Sequence, residues 1–142
     1  ITEGAIINYN HIGIAIDFSG EDEKIIQNAL MIGSKKATYT LIHVVESAAA
    51  RYFGKNTLDH ETQLDSDNLF KYKEKLEQMN YKAETQIGFG NPASELAKIL
   101  SEQNIDLLVM GAHGHRGLKD IIFGSTVDAL RHKIKIPVLV VK

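Results

Sequence analysis

A chain of 142 residues is long enough for one domain with a core of its own, and its 44% hydrophobic and 24% charged residues are ordinary for a globular domain. A formal net charge of -2 provides no basic field for nucleic acid, and the absence of cysteine excludes disulfides, thiolate metal sites and cysteine nucleophiles. Since no apolar run reaches the roughly 18 residues of a membrane span, we expect no direct membrane insertion.

Five short apolar runs have the length and composition of β-strands. They cover residues 11–16, 39–45, 82–87, 106–110 and 137–141. Longer segments with helical spacing separate these runs, and strands that alternate with helices favour right-handed crossovers. We therefore predict an α/β fold with an open five-stranded parallel sheet and helices on both faces, a Rossmann-like arrangement.

Four segments between the strands have helical character. The first ends at Gly33 and is predicted to bury one face, made of Ile25, Ile26, Ala29, Leu30 and Ile32. The second covers residues 65–79, with an apolar stripe of Leu69, Tyr72, Leu76 and Met79. The third begins with Asn91 as its N-cap and Pro92 at its first position, and a short fourth lies around residues 125–132.

Two stretches lie outside this pattern. Residues 47–64 have no clear periodicity and are interpreted as a loop with a partial helix. Residues 1–9 are interpreted as a linker or N-terminal tail, which leaves one domain over residues 10–142.

Ligands of open parallel sheets bind beyond the carboxyl ends of the strands, and two segments there have a suggestive composition. Residues 16–20, with Asp17, follow the first strand, and the glycine-rich segment 110–126 follows the fourth. Glycine lets the backbone approach a phosphate closely, and amides at a helix N-terminus donate to it. Ser125 with Asp128 also fits a capping box, which needs no ligand, so composition alone leaves both interpretations open.

The charge of the first helix separates the two segments. Glu21, Asp22 and Glu23 occupy its N-terminal end, where they would repel phosphate. Neither a G-x-G-x-x-G motif after the first strand nor a P-loop motif is present. A bound nucleotide is therefore expected to place its phosphates at the loop after the fourth strand. Asp17 would then accept hydrogen bonds from a ribose or base; the alternative is a loop carboxylate that satisfies nearby amides.

The glycine-rich segment carries a spaced motif. Gly111-x-x-Gly114, nine residues and then Gly124-Ser125 match G-2x-G-9x-G-[ST], which resembles the signature of ATP-binding universal stress proteins. The similarity includes residues 108–118, 131–132 and 136–141 and extends over the chain from about Asn10. The resemblance implies an adenine-nucleotide alpha-hydrolase-like fold and an ATP-binding regulatory domain of the stress response, which acts as a nucleotide sensor or dimerisation module.

The resemblance also implies roles for individual residues. Asp17 would hold the ribose or adenine end, and the backbone of Val44 would contact the adenine. A larger group would line the ribose and phosphates: Met110, Gly111, His113, Gly114, Arg116, Gly124, Ser125 and Thr126. Phe18 stands where many members have a small residue, which predicts a differently shaped adenine end.

The implied cofactor is ATP, or ADP or AMP, with Mg²⁺ for hydrolysis. Hydrolysis would need a base or metal ligand, and Asp17, the obvious candidate, already has a binding role. We therefore assign no catalytic residue and expect at most slow ATP hydrolysis. No metal site is expected either, because His113-x-His115 lacks a third ligand in view. His43, inside a predicted strand, is interpreted as a hydrogen-bonded core histidine.

The resemblance implies a homodimer formed through the last strand, by Val138, Leu139, Val140 and Val141. Similar domains also occur at the cytosolic ends of metal-ion and cation transporters, and the chain begins with Ile1 rather than methionine. A fused transporter is therefore an alternative context. The expected location is cytoplasmic, or the cytosolic side of the inner membrane in the fused case. The alternative function is a nucleotide-independent protein-interaction domain, including one that regulates such a transporter.

Overall fold

Nine regular elements make up the part of the chain that the computed structural model describes, residues 8–46, 60–112 and 124–142. The strands are β1 (His11–Ala15), β2 (Thr38–Val45), β3 (Lys82–Phe89), β4 (Leu107–Gly111) and β5 (Val138–Val141). The helices are α1 (Asp22–Ile32), α2 (His60–Gln78), α3 (Pro92–Glu102) and α4 (Gly124–Leu130). Within these ranges, the helices are all too short or too polar to cross a membrane.

The five strands form one parallel sheet in the order β3-β2-β1-β4-β5. Ile14 of β1 lies opposite Leu41 of β2 on one side and Val109 of β4 on the other. The chain moves from β1 outward through β2 and β3, and then returns to the far side of β1 for β4. The predicted α/β fold is confirmed, and its topological switch point lies between β1 and β4.

Each face of the sheet is covered by two helices. Because successive side chains of a strand point to opposite faces, Ile12 and Ile14 join the cluster under α1 and α2, while Ala15 packs with the cluster under α3 and α4. β4 divides in the same way, with Val109 in the first cluster and Leu108 in the second. The two cores hold β1 and β4 side by side, so their carboxyl ends have fixed positions at the switch point.

Two helix predictions need correction at their ends. α2 begins at His60 rather than residue 65, because its first two turns are polar and show no apolar period before Leu69. Met79 is 46% exposed, since it follows the last helical residue and leaves the predicted stripe. Ile32 is 45% exposed at the end of α1 and is likewise wrong as a core residue.

The N-cap of α3 is confirmed. The Asn91 side chain accepts a hydrogen bond from the backbone N–H of Ser94 at 3.0 Å, and Pro92 is the first helical residue. Gly33 ends α1 as predicted, but in extended backbone at φ -84°, where a Cβ atom would collide with the Tyr39 hydroxyl. Glycine is required here because the Tyr39 side chain packs against the Gly33 backbone, and not because the backbone is left-handed.

Candidate functional site

The sheet brings three predicted binding segments to one edge. Asp17 follows β1, and β1 lies between β2, which carries Val44, and β4, which carries Met110 and Gly111. Backbone pairing continues past the end of β1, since the Ile16 N–H donates to the Ile42 carbonyl at 2.8 Å. Val44 and Met110 both pack with the cluster under α3 and α4. The predicted residues of β2 and β4 therefore share one face beside Asp17.

The structure describes only some of the residues predicted to contact the phosphates. His113, Gly114 and Arg116 lie outside the described residues, and so does the His113-x-His115 pair. Gly124 and Ser125 are the first two residues of α4, followed by the half-buried Thr126. Amide groups of a first helical turn have no partner within the helix, so this backbone provides donors of the predicted kind.

The structure describes α4 from Gly124, one residue before Ser125. The capping-box interpretation of Ser125 stays an alternative, since the side chain of Ser125 lies outside the described residues. Asp128 pairs with Arg131, with its Oδ1 atom 3.2 Å from Nε on the exposed face of the helix.

The turn after β1 fixes the position of Asp17. Its Oδ1 atom accepts a hydrogen bond from the backbone N–H of Ser19 at 3.0 Å. Phe18 and Gly20 have left-handed backbone, with φ of 59° and 95°. This conformation costs on the order of 1–3 kcal/mol for a residue such as Phe18. The interpretation of Asp17 as a carboxylate that satisfies a local amide is thus confirmed. The hydrogen bond from Ser19 leaves the Asp17 carboxylate able to accept further hydrogen bonds from a ligand, because a carboxylate has about four lone-pair sites.

Asp22 is hydrogen-bonded to this turn, a role that the sequence did not distinguish from those of its acidic neighbours. It is the first residue of α1 and is 1% exposed, whereas Glu21 and Glu23 are exposed. Its Oδ1 atom accepts from the backbone N–H of Asp17, and its Oδ2 atom accepts from the Tyr72 hydroxyl, both at 3.3 Å. The sequence argument assumed that all three acidic side chains at the start of α1 would repel a phosphate. The structure differs, because Asp22 points into the protein and only Glu21 and Glu23 are exposed.

Burial is the main influence on the pKa values of Asp22 and the half-buried Tyr72. Loss of solvent raises the pKa of Asp22 above its ordinary value. The hydrogen bond from the Asp17 backbone lowers this pKa, but its effect is smaller than that of burial. Burial, and then the nearby Asp22 carboxyl, raise the pKa of Tyr72 to about 12. Tyr72 therefore stays protonated at neutral pH and can donate its hydroxyl hydrogen to Asp22.

Aromatic rings hold the strained turn from the α2 side. The ring of Phe18 lies 4.7 Å from the ring of His43 and is stacked at 6.5 Å on that of Tyr72. Phe18 packs with the cluster under α1 and α2, on the face opposite to Val44 and Met110. Its bulk is thus accommodated against α2, away from the face that carries the predicted residues of β2 and β4.

His43 ties the same turn to β2 and α2. Its Nδ1 atom lies 2.8 Å from the Ile16 carbonyl oxygen, and its Nε2 atom lies 3.2 Å from Oδ2 of Asp65. The prediction of a hydrogen-bonded histidine is confirmed, but His43 is half-buried and belongs to neither core cluster. In the described ranges, no three histidine, aspartate or glutamate side chains come together as a metal site.

Comparison with known proteins shows which family this chain is similar to. The universal stress protein family model matches residues 8–142. Universal stress protein A homolog 1 of Coxiella burnetii is 30% identical over 141 residues, which cover 95% of this chain and 97% of that protein. Universal stress protein MJ0577 of Methanocaldococcus jannaschii is 36% identical over 88 residues, which cover 62% of this chain and 52% of that protein. This second alignment therefore spans about half of the relative's length.

Solved structures agree with the sequence matches. The MJ0577 structure superposes with a TM-score of 0.82 at 28% identity, covering 96% of this chain and 97% of that one. A universal stress protein in complex with cAMP has a TM-score of 0.62 at 19% identity, covering 96% and 98%. One from Archaeoglobus fulgidus in complex with dAMP has a TM-score of 0.64 at 15% identity, covering 96% and 100%. These two show the fold alone. The family match along nearly the whole described chain, together with the full-length Coxiella relative, shows that this chain belongs to the universal stress protein family.

Proposed function

We propose that this domain binds an adenine nucleotide, with ATP as the expected ligand, and acts as a nucleotide-sensing regulatory module of the stress response. The observation that carries the proposal is the position of Asp17 at the switch point, between Val44 on β2 and Met110 and Gly111 on β4. Ligands of open parallel sheets bind at this position.

The described residues suit the two ends of such a ligand. The Asp17 carboxylate, with one acceptor site used by Ser19, can accept from ribose hydroxyl groups. The first turn of α4 supplies backbone amides for phosphate oxygens, within the Gly111-2x-Gly114-9x-Gly124-Ser125 motif. Two universal stress proteins that share the fold form complexes with cAMP and with dAMP, so adenine nucleotides are the ligands to test first.

Catalysis is a minor part of this proposal. Asp17 is engaged with the Ser19 amide, and its expected partner is a ribose. Mg²⁺, where it takes part, is proposed to bind together with the phosphates of the nucleotide. We therefore propose slow hydrolysis at most, with nucleotide occupancy as the signal.

The proposal includes a homodimer and a cytosolic setting. β5 is an edge strand, and its residues Val138, Leu139 and Val140 are only half-buried. An apolar edge of this kind favours pairing with another strand, and a second copy of β5 is the proposed partner. The proposed location is the cytoplasm, with a fused membrane transporter as the alternative context.

Isothermal titration calorimetry and thermal unfolding with ATP, ADP, AMP and cAMP test the binding. A ligand at one hundred times its Kd stabilises the folded state by about 2.7 kcal/mol, which raises Tm by roughly 5–11 °C for a domain of this size. Asp17→Ala and Gly114→Val should weaken binding at least tenfold. Asp67→Asn, an exposed acidic position on α2, is the matched control and should leave binding unchanged.

Two results would contradict the proposal. The first is no heat and no change in Tm with any of the four nucleotides at millimolar concentration. The second is unaltered binding in both site variants. The first result would favour the nucleotide-independent interaction domain instead, and the second would mean that the nucleotide binds somewhere other than at this site.

A further inference from the structure

We propose that Asp22 is a positioning residue which, with Tyr72, holds the Asp17 carboxylate toward the 2′-hydroxyl of a bound ribose and so sets a preference for ribonucleotides over 2′-deoxyribonucleotides. This inference rests on the proposed nucleotide binding and adds to it the residues that determine sugar selectivity.

The first support is the burial of the Asp22 side chain. A carboxyl group that is 1% exposed has lost its hydration, and this loss is unfavourable unless protein groups replace the water. None of the ion pairs found in residues 8–46, 60–112 and 124–142 includes Asp22. Its hydrogen-bond partners are neutral donors: the backbone N–H groups of Asp17 and Phe18 and the Tyr72 hydroxyl. The group is therefore held in place by the turn and by α2.

The second support is the backbone of the turn. Phe18 has a left-handed φ of 59°, which a residue with a bulky side chain adopts only when its surroundings enforce it. Two contacts stabilise this backbone conformation. The Asp22 carboxyl accepts a hydrogen bond from the backbone N–H of Asp17, and the Tyr72 ring stacks on the Phe18 ring. Tyr72 takes part in both contacts, because its hydroxyl also bonds Asp22.

The consequence for Asp17 follows from its bonding. Its backbone N–H is held by Asp22, and its carboxylate is oriented by the N–H of Ser19 two residues later. A carboxylate fixed in this way binds hydroxyl groups without a further loss of side-chain freedom. Without the Asp22 contact the turn can relax toward ordinary backbone, and the Asp17 carboxylate loses its fixed direction. The contacts to adenine and phosphate come from other segments and remain.

The test compares ATP with dATP by isothermal titration calorimetry. A single hydrogen bond to a charged acceptor corresponds to roughly a tenfold or greater preference for ATP in the native domain. Asp22→Ala should lower ATP affinity about tenfold and leave dATP affinity nearly unchanged, so that the preference disappears as it does in Asp17→Ala. Asp22→Asn should restore the preference, because its amide can accept from Asp17 and donate to Tyr72.

Further variants separate positioning from a general structural role. Tyr72→Phe keeps the ring on Phe18 and should reduce the ATP preference, which gives a second measurement if Asp22→Ala does not fold. In an Asp17→Ala background, Asp22→Ala should have no additional effect on the ATP-to-dATP ratio. Equal losses for ATP and dATP in Asp22→Ala would overturn the inference, since they indicate a structural role.

Failure of the inference and failure of the proposed function give different results. A native domain that binds ATP and dATP equally well retains the proposed function and overturns the sugar-selectivity inference. A native domain that binds neither nucleotide overturns both.

Discussion

The Tyr72–Asp22 hydrogen bond provides the sharpest test of the site's energetics. Tyr72→Phe removes one hydroxyl and keeps the ring that is stacked on Phe18. With the hydroxyl in place Asp22 is 1% exposed, so little water reaches its carboxyl group to replace the lost donor. An unsatisfied buried acceptor costs about 1–3 kcal/mol. The bond is 3.3 Å long, beyond the usual O–H···O range, so we expect the lower part of that interval, about 1–2 kcal/mol.

Urea unfolding at pH 7, followed by far-ultraviolet circular dichroism, measures this loss. The double-mutant cycle with Asp22→Ala isolates the pair, because no carboxyl remains there to be left unsatisfied. Tyr72→Phe should cost less than about 0.5 kcal/mol in the Ala background, a typical value for a neutral surface change. Equal losses in the two backgrounds would refute the reasoning, since the cost would then come from the ring environment and not from Asp22.

Two further predictions concern stability. Burial raises the pKa of Asp22 in the folded domain above the unfolded value of about 3.8. Between these two pKa values the folded state binds more protons than the unfolded state, so the free energy of unfolding falls as pH rises from the lower value to the higher. Asp22→Asn should therefore unfold at higher urea concentration than the native domain at pH 7, with a difference that shrinks as pH is lowered toward 3.8; a constant difference would contradict the assigned cause. Leu69→Ala, at a fully buried position, should cost about 2–5 kcal/mol, whereas Phe70→Ala, at a neighbouring position that is 49% exposed, should cost less than about 1 kcal/mol in the same urea titration.

The accuracy of the sequence predictions followed the strength of the local signals. Asn91 as an N-cap was predictable because its hydrogen bond to Ser94 spans three residues. The beginning of α2 at His60 was missed because its first turns carry no apolar period. Ile32 and Met79 were wrong because helical spacing continues in a sequence after the helix itself has left the core.

The candidate site divides in the same way. The Gly111 to Ser125 spacing and the position of Asp17 after an apolar run are local features, and the resemblance that this spacing carries is what predicts a nucleotide site. The aromatic support of Phe18 was not predictable. His43 and Tyr72 come from two elements far along the chain, and their convergence depends on how β2 and α2 pack.

The sequence alone therefore determined the alternation of strands and helices, the family motif, and the placement of Asp17 and Gly111 at the ends of their strands. Tertiary structure decided that β1 lies between β2 and β4, which brings these two residues to one switch point. It also decided that Asp22 turns inward while its acidic neighbours face solvent. The physical reason is that burial of a carboxyl group requires a replacement for water. For Asp22, part of that replacement is the hydroxyl of Tyr72, fifty residues away in the chain.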